Sequence, residues 1–188
     1  MEEKRTDILE SKLLFYIKES LIDLYEHDNY LIMIKEAQHH DRNQHHEDHV
    51  GERAIVFRFG HYLQNRLDLD SDFRMYNLDC EYNRNGTRQK ELNGSDTYPD
   101  VILHVRGSNY HNIMVIEFKG YWNRDQSRDR EKIRGFTNDK GVYKYSVGYT
   151  VLIGRFLHEV VIEEYKKGEF QREISIEGLD RIPILLYR

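Results

Sequence analysis

Cysteine is almost missing from this chain: Cys80 is the only one in 188 residues. A lone thiol excludes an internal disulfide and a cysteine-built zinc site, and it suits a protein kept in the cytoplasm. No apolar run approaches the roughly 20 residues that a membrane helix needs. The charged start, MEEKRTDILESK, is not expected to act as a secretory signal. Basic charge is not in excess either, since 28 Lys and Arg face 33 Asp and Glu, for a formal net charge of -5. That balance excludes a general nucleic-acid coating protein, which carries an overall positive field. An enzyme on nucleic acid stays allowed, because it can gather positive charge locally. No internal repeat or low-complexity linker divides the chain, and the length suits one domain.

What the chain does have is a short stretch dense in information, YPDVILHVRGSNYHNIMVIEFK, from Tyr98 to Lys119. Two apolar runs flank the turn-like GSNYHN, which predicts strand, loop, strand. Asp100 opens the first strand, and Glu117 and Lys119 close the second. Side chains alternate along a strand, so Glu117 and Lys119 share one face while Phe118 takes the other. If the two strands are neighbours, Asp100 lies beside that pair. Two carboxylates and a lysine at one end of an apolar hairpin suit metal-assisted phosphodiester hydrolysis. Hard oxygen donors favour Mg²⁺, and the amine can position a water and offset charge developing at phosphorus. The competing reading is a solvated ion pair at a strand end, worth little.

The rest of the chain supplies the frame. Asp7 reads as the cap of a helix from Ile8 to about Glu26, with Leu9, Leu13, Tyr16, Ile17, Leu21 and Leu24 on one stripe. The run Tyr30 to Ile34 is strand or helical turn, and periodicity does not decide between them. His39, His40, His45, His46 and His49 follow, either as a transition-metal site or as a polar loop. A second helix is expected from about Glu47 to Arg66, with Val50, Ala54, Phe57 and His61 on a stripe that Ile55, Val56, Phe59, Tyr62 and Leu63 widen. Glu52 falls in its first turns, as a favourable charge there or as a third acid of the site. Phe73 to Arg84 alternates as a strand with Cys80 inside it; Asp79 and Glu81 share a face. The polar stretch after it carries Arg84, Arg88 and Lys90, which read as phosphate contacts or as a solvated loop. A helix from about Asp125 to Phe136 holds Arg124, Arg128, Arg130, Lys132 and Arg134 among acids, so its charges pair locally or reach DNA. Then come a doubly buried strand within Tyr143 to Arg155, a strand within Glu159 to Tyr165, a Lys167-Gly168 turn, a returning strand from Phe170 to Ile176, and IPILLY as an edge strand.

Pro99-Asp100, then Glu117-Phe118-Lys119 on the next strand, resembles the PD-(D/E)XK signature of the restriction-endonuclease-like nucleases. The order helix, three strands, helix, strand over about residues 47–155 is similar to the core of that superfamily, and the segments ERAIVFRFGHYLQ, YPDVILHVRG and NIMVIEFK look like those of its small bacterial members. The resemblance implies an α/β fold with a mixed sheet between helices. Residues 1–46 would form a helical extension, and 156–188 added strands. It further implies Glu52, Asp100 and Glu117 as ligands of Mg²⁺, or of Mn²⁺ in its place, with Lys119 positioning the water. Nucleic acid, DNA first, would be the partner, contacted by Arg84, Arg88, Lys90, Arg128 and Lys132; no membrane is involved, and a homodimer is left open. The other expectation is a binding or regulatory protein that keeps this fold without cutting.

Overall fold

The computed structural model describes residues 2–33, 50–123 and 125–176. Three helices, α1 (Glu2–His27), α2 (Glu52–Leu69) and α3 (Ser127–Thr137), enclose one six-stranded sheet. Its strands are β1 (Asn77–Cys80), β2 (Val101–His104), β3 (Met114–Gly120), β4 (Val147–Ile153), β5 (Val161–Lys166) and β6 (Glu169–Ser175). They lie side by side in chain order. Every neighbouring pair is antiparallel except β3 and β4, which run parallel. A parallel pair cannot be closed by a tight turn, so α3 carries the chain across. The class is therefore α/β with a mixed sheet.

Alternation along the central strands divides the core. Val101, Leu103, Met114, Ile116 and Phe118 join Leu13, Ile17, Leu21 and Leu24 of α1 and Ile55, Phe59 and Leu63 of α2 in one buried cluster. The Phe59 and Phe118 rings meet edge-on at 4.9 Å, a favoured aromatic geometry. On the opposite face, Ile102 and Val115 pack with Ile133 and Phe136 of α3 and with Tyr143, Tyr145 and Tyr165. Val147–Ile153 is buried on both faces apart from the half-buried Leu152, as its apolar run predicts. Lys167 and Gly168 both have positive φ in the turn that sends β6 back along β5.

Several expectations need correction. Asp7 does not cap α1, which begins five residues earlier; its carbonyl accepts from Ser11 Oγ inside the helix. The segment after it is a 3-10 turn, Asn29–Leu31. Helix α2 starts at Glu52 after Gly51, later than expected, and Phe57 and His61 point outward, Phe57 with 67% of its surface exposed. Because α1 and the sheet cover α2 from different sides, its buried arc falls on Ile55, Val56, Phe59, Leu63 and Leu67 instead. Strand β1 is only Asn77–Cys80; Phe73 belongs to a 3-10 turn and Glu81 breaks the pleat at φ 50°. Cys80 is exposed at the strand's end rather than within the core, although its Sγ sits against Gly60. The five histidines from His39 to His49, Arg124 and the IPILLY segment lie outside the described residues. Among those described, no helix is long and apolar enough to cross a membrane.

Close packing of α3 on β4 rests on Gly148. A Cβ there would come within 2.7 Å of both Ile133 Cγ2 and Thr137 Cγ2. Gly148→Ala should lower stability by about 1–3 kcal/mol, the usual scale of overpacking, and urea unfolding midpoints measure it. An unchanged midpoint would mean that α3 sits farther from the sheet.

Candidate active site

The site begins with the parity of β3. Met114, Ile116 and Phe118 face the α1–α2 layer, so Glu117 and Lys119 face α3. Val101 pairs with Ile116 at the start of β2. One step earlier the main-chain ladder stops, and the Asp100 side chain takes over: its Oδ2 accepts from the Phe118 N–H at 2.7 Å. That bond fixes Asp100 beside Glu117. Glu52 arrives from the other layer as the first residue of α2. Its Oε1 accepts from the Gly120 N–H at 3.3 Å, and its Oε2 is 3.9 Å from Lys119 Nζ. The four residues expected to form the site therefore converge at the C-terminal end of β3.

Helix α3 brings two more. Asp125 Oδ1 accepts from the Ser127 N–H at 3.0 Å and from Ser127 Oγ at 2.6 Å, which sets where the helix begins. Arg130 fixes its roll by donating twice to Glu163 of β5, from Nε at 2.8 Å and Nη2 at 2.5 Å. Asp129 and Lys132, three residues apart and so on one helix face, then turn toward β3. Lys132 Nζ donates to Glu117 Oε2 at 2.7 Å. Asp129 Oδ2 lies 3.2 Å from Lys119 Nζ, at ion-pair distance but off the line of a hydrogen bond. Two crossed acid–base pairs thus join β3 to α3. Asp129 escaped the sequence reading. The only hint was its spacing from Lys132 in a run, RDREK, where local pairing was equally natural.

Among the described residues, formal charge does not balance within this group. Four carboxyl groups, from Glu52, Asp100, Glu117 and Asp129, face two amines, from Lys119 and Lys132. Glu117 is 2% exposed, and its Oε1 has no hydrogen-bond partner among the described residues. Burial, then the charge of Asp100, pushes its pKa well above the ordinary range, against the pull of Lys132. Burial likewise raises Asp100, to about 6. For Lys119 burial acts to lower the pKa, but Asp129 and Glu52 outweigh it and hold the amine more firmly charged.

This donor set fits a hard divalent cation: carboxylate oxygens, an orphaned buried one among them, with carboxyl groups outnumbering ammonium groups. Their spacing is another matter. Among the described residues, the one trio of acid or imidazole ligand atoms within 4.8 Å of one another is Asp23, Glu26 and His27 near the end of α1. Asp23 there is held by Arg66 at 2.6 Å. The oxygens of Glu52, Asp100 and Glu117 stand farther apart, drawn to the lysines and to main-chain amides.

Of the expected phosphate contacts, Lys90 must be withdrawn. It is 1% exposed, donates to the Arg84 carbonyl at 2.8 Å and lies over the rings of Tyr82 and Tyr143. Lys132 belongs first to Glu117. Arg84, Arg88 and Arg128 are exposed. Asp79 serves elsewhere, paired with Arg106 and, at 2.9 Å, with His104; Glu81 pairs with Arg53. Comparison with protein-family models, with curated proteins and with solved structures found no match.

The raised pKa of Asp100 carries a pH signature. A carboxyl that ionises later in the folded state contributes fully below its unfolded value, near 3.8, and loses that contribution as pH rises through about 6. In metal-free protein, Asp100→Asn should therefore match the parent near pH 4 and exceed it at pH 8 by about 2 kcal/mol, allowing for solvent on its open side. The asparagine oxygen can still accept from Phe118. Thermal unfolding in chelator across that range is the measurement; a gain that is constant with pH would exclude the assignment.

Proposed function

We propose that this protein is a divalent-metal-dependent nuclease with a restriction-endonuclease-like core, hydrolysing phosphodiester bonds, in DNA first. The order α2-β1-β2-β3-α3-β4, with a helical layer on each face, supports that core. The observation that carries the activity is the meeting of Glu52, Asp100, Glu117 and Lys119 at one end of β3, with a buried Glu117 oxygen that has no donor among the described residues. Glu52, Asp100 and Glu117 would hold Mg²⁺, or Mn²⁺ in its place. Such a cation supplies Lewis-acid charge to a phosphate oxygen.

The chain's own groups account for the rest. Asp129 keeps the Lys119 ammonium extended at the edge of the acids. There Lys119 can orient a water for attack on phosphorus and offset the negative charge that develops. Arg84, Arg88 and Arg128 are exposed and would meet backbone phosphates, which position a strand without reading its bases.

A second reading has one observation in its favour. Lys132 already sits on Glu117, as it would in a nuclease-fold protein that binds or regulates without cutting. Plasmid and oligonucleotide cleavage in Mg²⁺ and Mn²⁺ separates the two. The nuclease reading expects metal-dependent cutting that Lys119→Ala and Glu117→Gln each reduce by on the order of 100-fold or more. Undiminished cutting by the Lys119 variant would remove this mechanism. Oligonucleotide binding without cleavage in either metal would establish the second reading.

A further inference from the structure

Lys132 has two neighbourhoods. Its Nζ holds Glu117 Oε2 at 2.7 Å inside the site. Its side chain, 21% exposed, also lines a groove of about 170 Å³ between α3 and the short β-hairpin that pairs Leu92 with Ser95 and leads into Thr97. Arg128, one turn earlier on α3, lines the same groove. A long flexible amine at such a boundary can stay bonded to a buried acid or leave it for solvent. An ionised Glu117 needs a positive partner, because it is buried in the sheet and its second oxygen has no donor among the described residues.

We propose that Lys132 is a resident counter-cation for Glu117, one that a divalent metal must displace, and that the groove receives the displaced amine. This rests on the metal-binding role given to Glu117 above. The ammonium neutralises the acid while no metal is bound, and it draws Oε2 toward α3. Metal binding would then exchange one cation for another at the same carboxylate, so apparent metal affinity is lowered by the strength of the Lys132–Glu117 bond.

The test is Mn²⁺ binding to the full chain, by calorimetry, without nucleic acid. Removing the competitor in Lys132→Gln should tighten Mn²⁺ binding about tenfold, which corresponds to about 1.4 kcal/mol. Lys132→Arg, which keeps a cation on Glu117, should bind like the parent. Arg128→Gln removes one positive charge from the same helix without touching Glu117 and should shift affinity less than about twofold, at the salt-screened scale of surface charges. Glu117→Gln should abolish binding. Equal or weaker binding by Lys132→Gln, or equal tightening by Arg128→Gln, overturns the inference and leaves the metal site standing. If neither the parent nor Lys132→Gln binds Mn²⁺, both the inference and the metal-dependent reading fall.

Discussion

A carboxylate buried in the middle of a sheet is the constraint on which the rest of the site depends. Glu117 follows an apolar run in β3 and is 2% exposed. Taking an ionised acid out of water costs several kcal/mol unless charge and hydrogen bonds replace the solvent. The fold supplies part of that replacement from α3, through Lys132, and that requires the helix to lie close and at a fixed roll. Gly148 permits the approach, the Asp125 turn sets the helix start, and the Arg130–Glu163 pair fixes its rotation. Features that look like ordinary packing thus determine the surroundings of one oxygen pair.

The hairpin was legible because its information is local. Period-two alternation from Val101 to Lys119 decides which side chains face which layer, and the observed clusters follow that parity. The α1 stripe was legible for a similar reason: Leu13, Ile17, Leu21 and Leu24 are fully buried. Helix α2 misled, because two partners at different angles widen the apolar arc and no single stripe predicts the exposed Phe57. Lys90 misled more instructively. In sequence it belongs to a basic polar loop, yet the rings that enclose it come from Tyr82 and from Tyr143, far along the chain. Composition alone cannot reveal a cation drawn inward by distant aromatic faces.

The contributions of Asp129 and Lys132 were hidden by abundance. Helix α3 carries an acid or a base at every position from Arg128 to Lys132, and local pairing explains such a run as well as any site does. Only the helix phase decides. Arg130 and Arg134 turn toward Glu163, Tyr165 and the Gly168 carbonyl, while Asp129 and Lys132 turn toward β3. That phase is set by tertiary contacts with β5 and the turn after it, which no window of the helix itself contains.

Two acids on the same face of the sheet show what sets Glu117 apart from any other buried carboxylate. Glu163 of β5 is 7% exposed and stands across Thr150 from Glu117 in the strand register. Thr150 Oγ1, Tyr165 OH and Arg130 all donate to it, at 2.9, 2.8 and 2.5–2.8 Å. Burial works against its charge, but those donors outweigh burial and hold its pKa below the ordinary value. Glu117 has one donor, an unpaired oxygen and a pKa driven the other way. The environments are alike in depth and opposite in satisfaction. A fold that can saturate Glu163 from three directions could saturate Glu117 as well. Instead it surrounds Glu117 with Asp100 and, farther along, Asp129, whose charges oppose its ionisation. An arrangement that costs stability in the metal-free chain, and that a divalent cation would relieve, is what the proposed binding site needs and a structural ion pair does not.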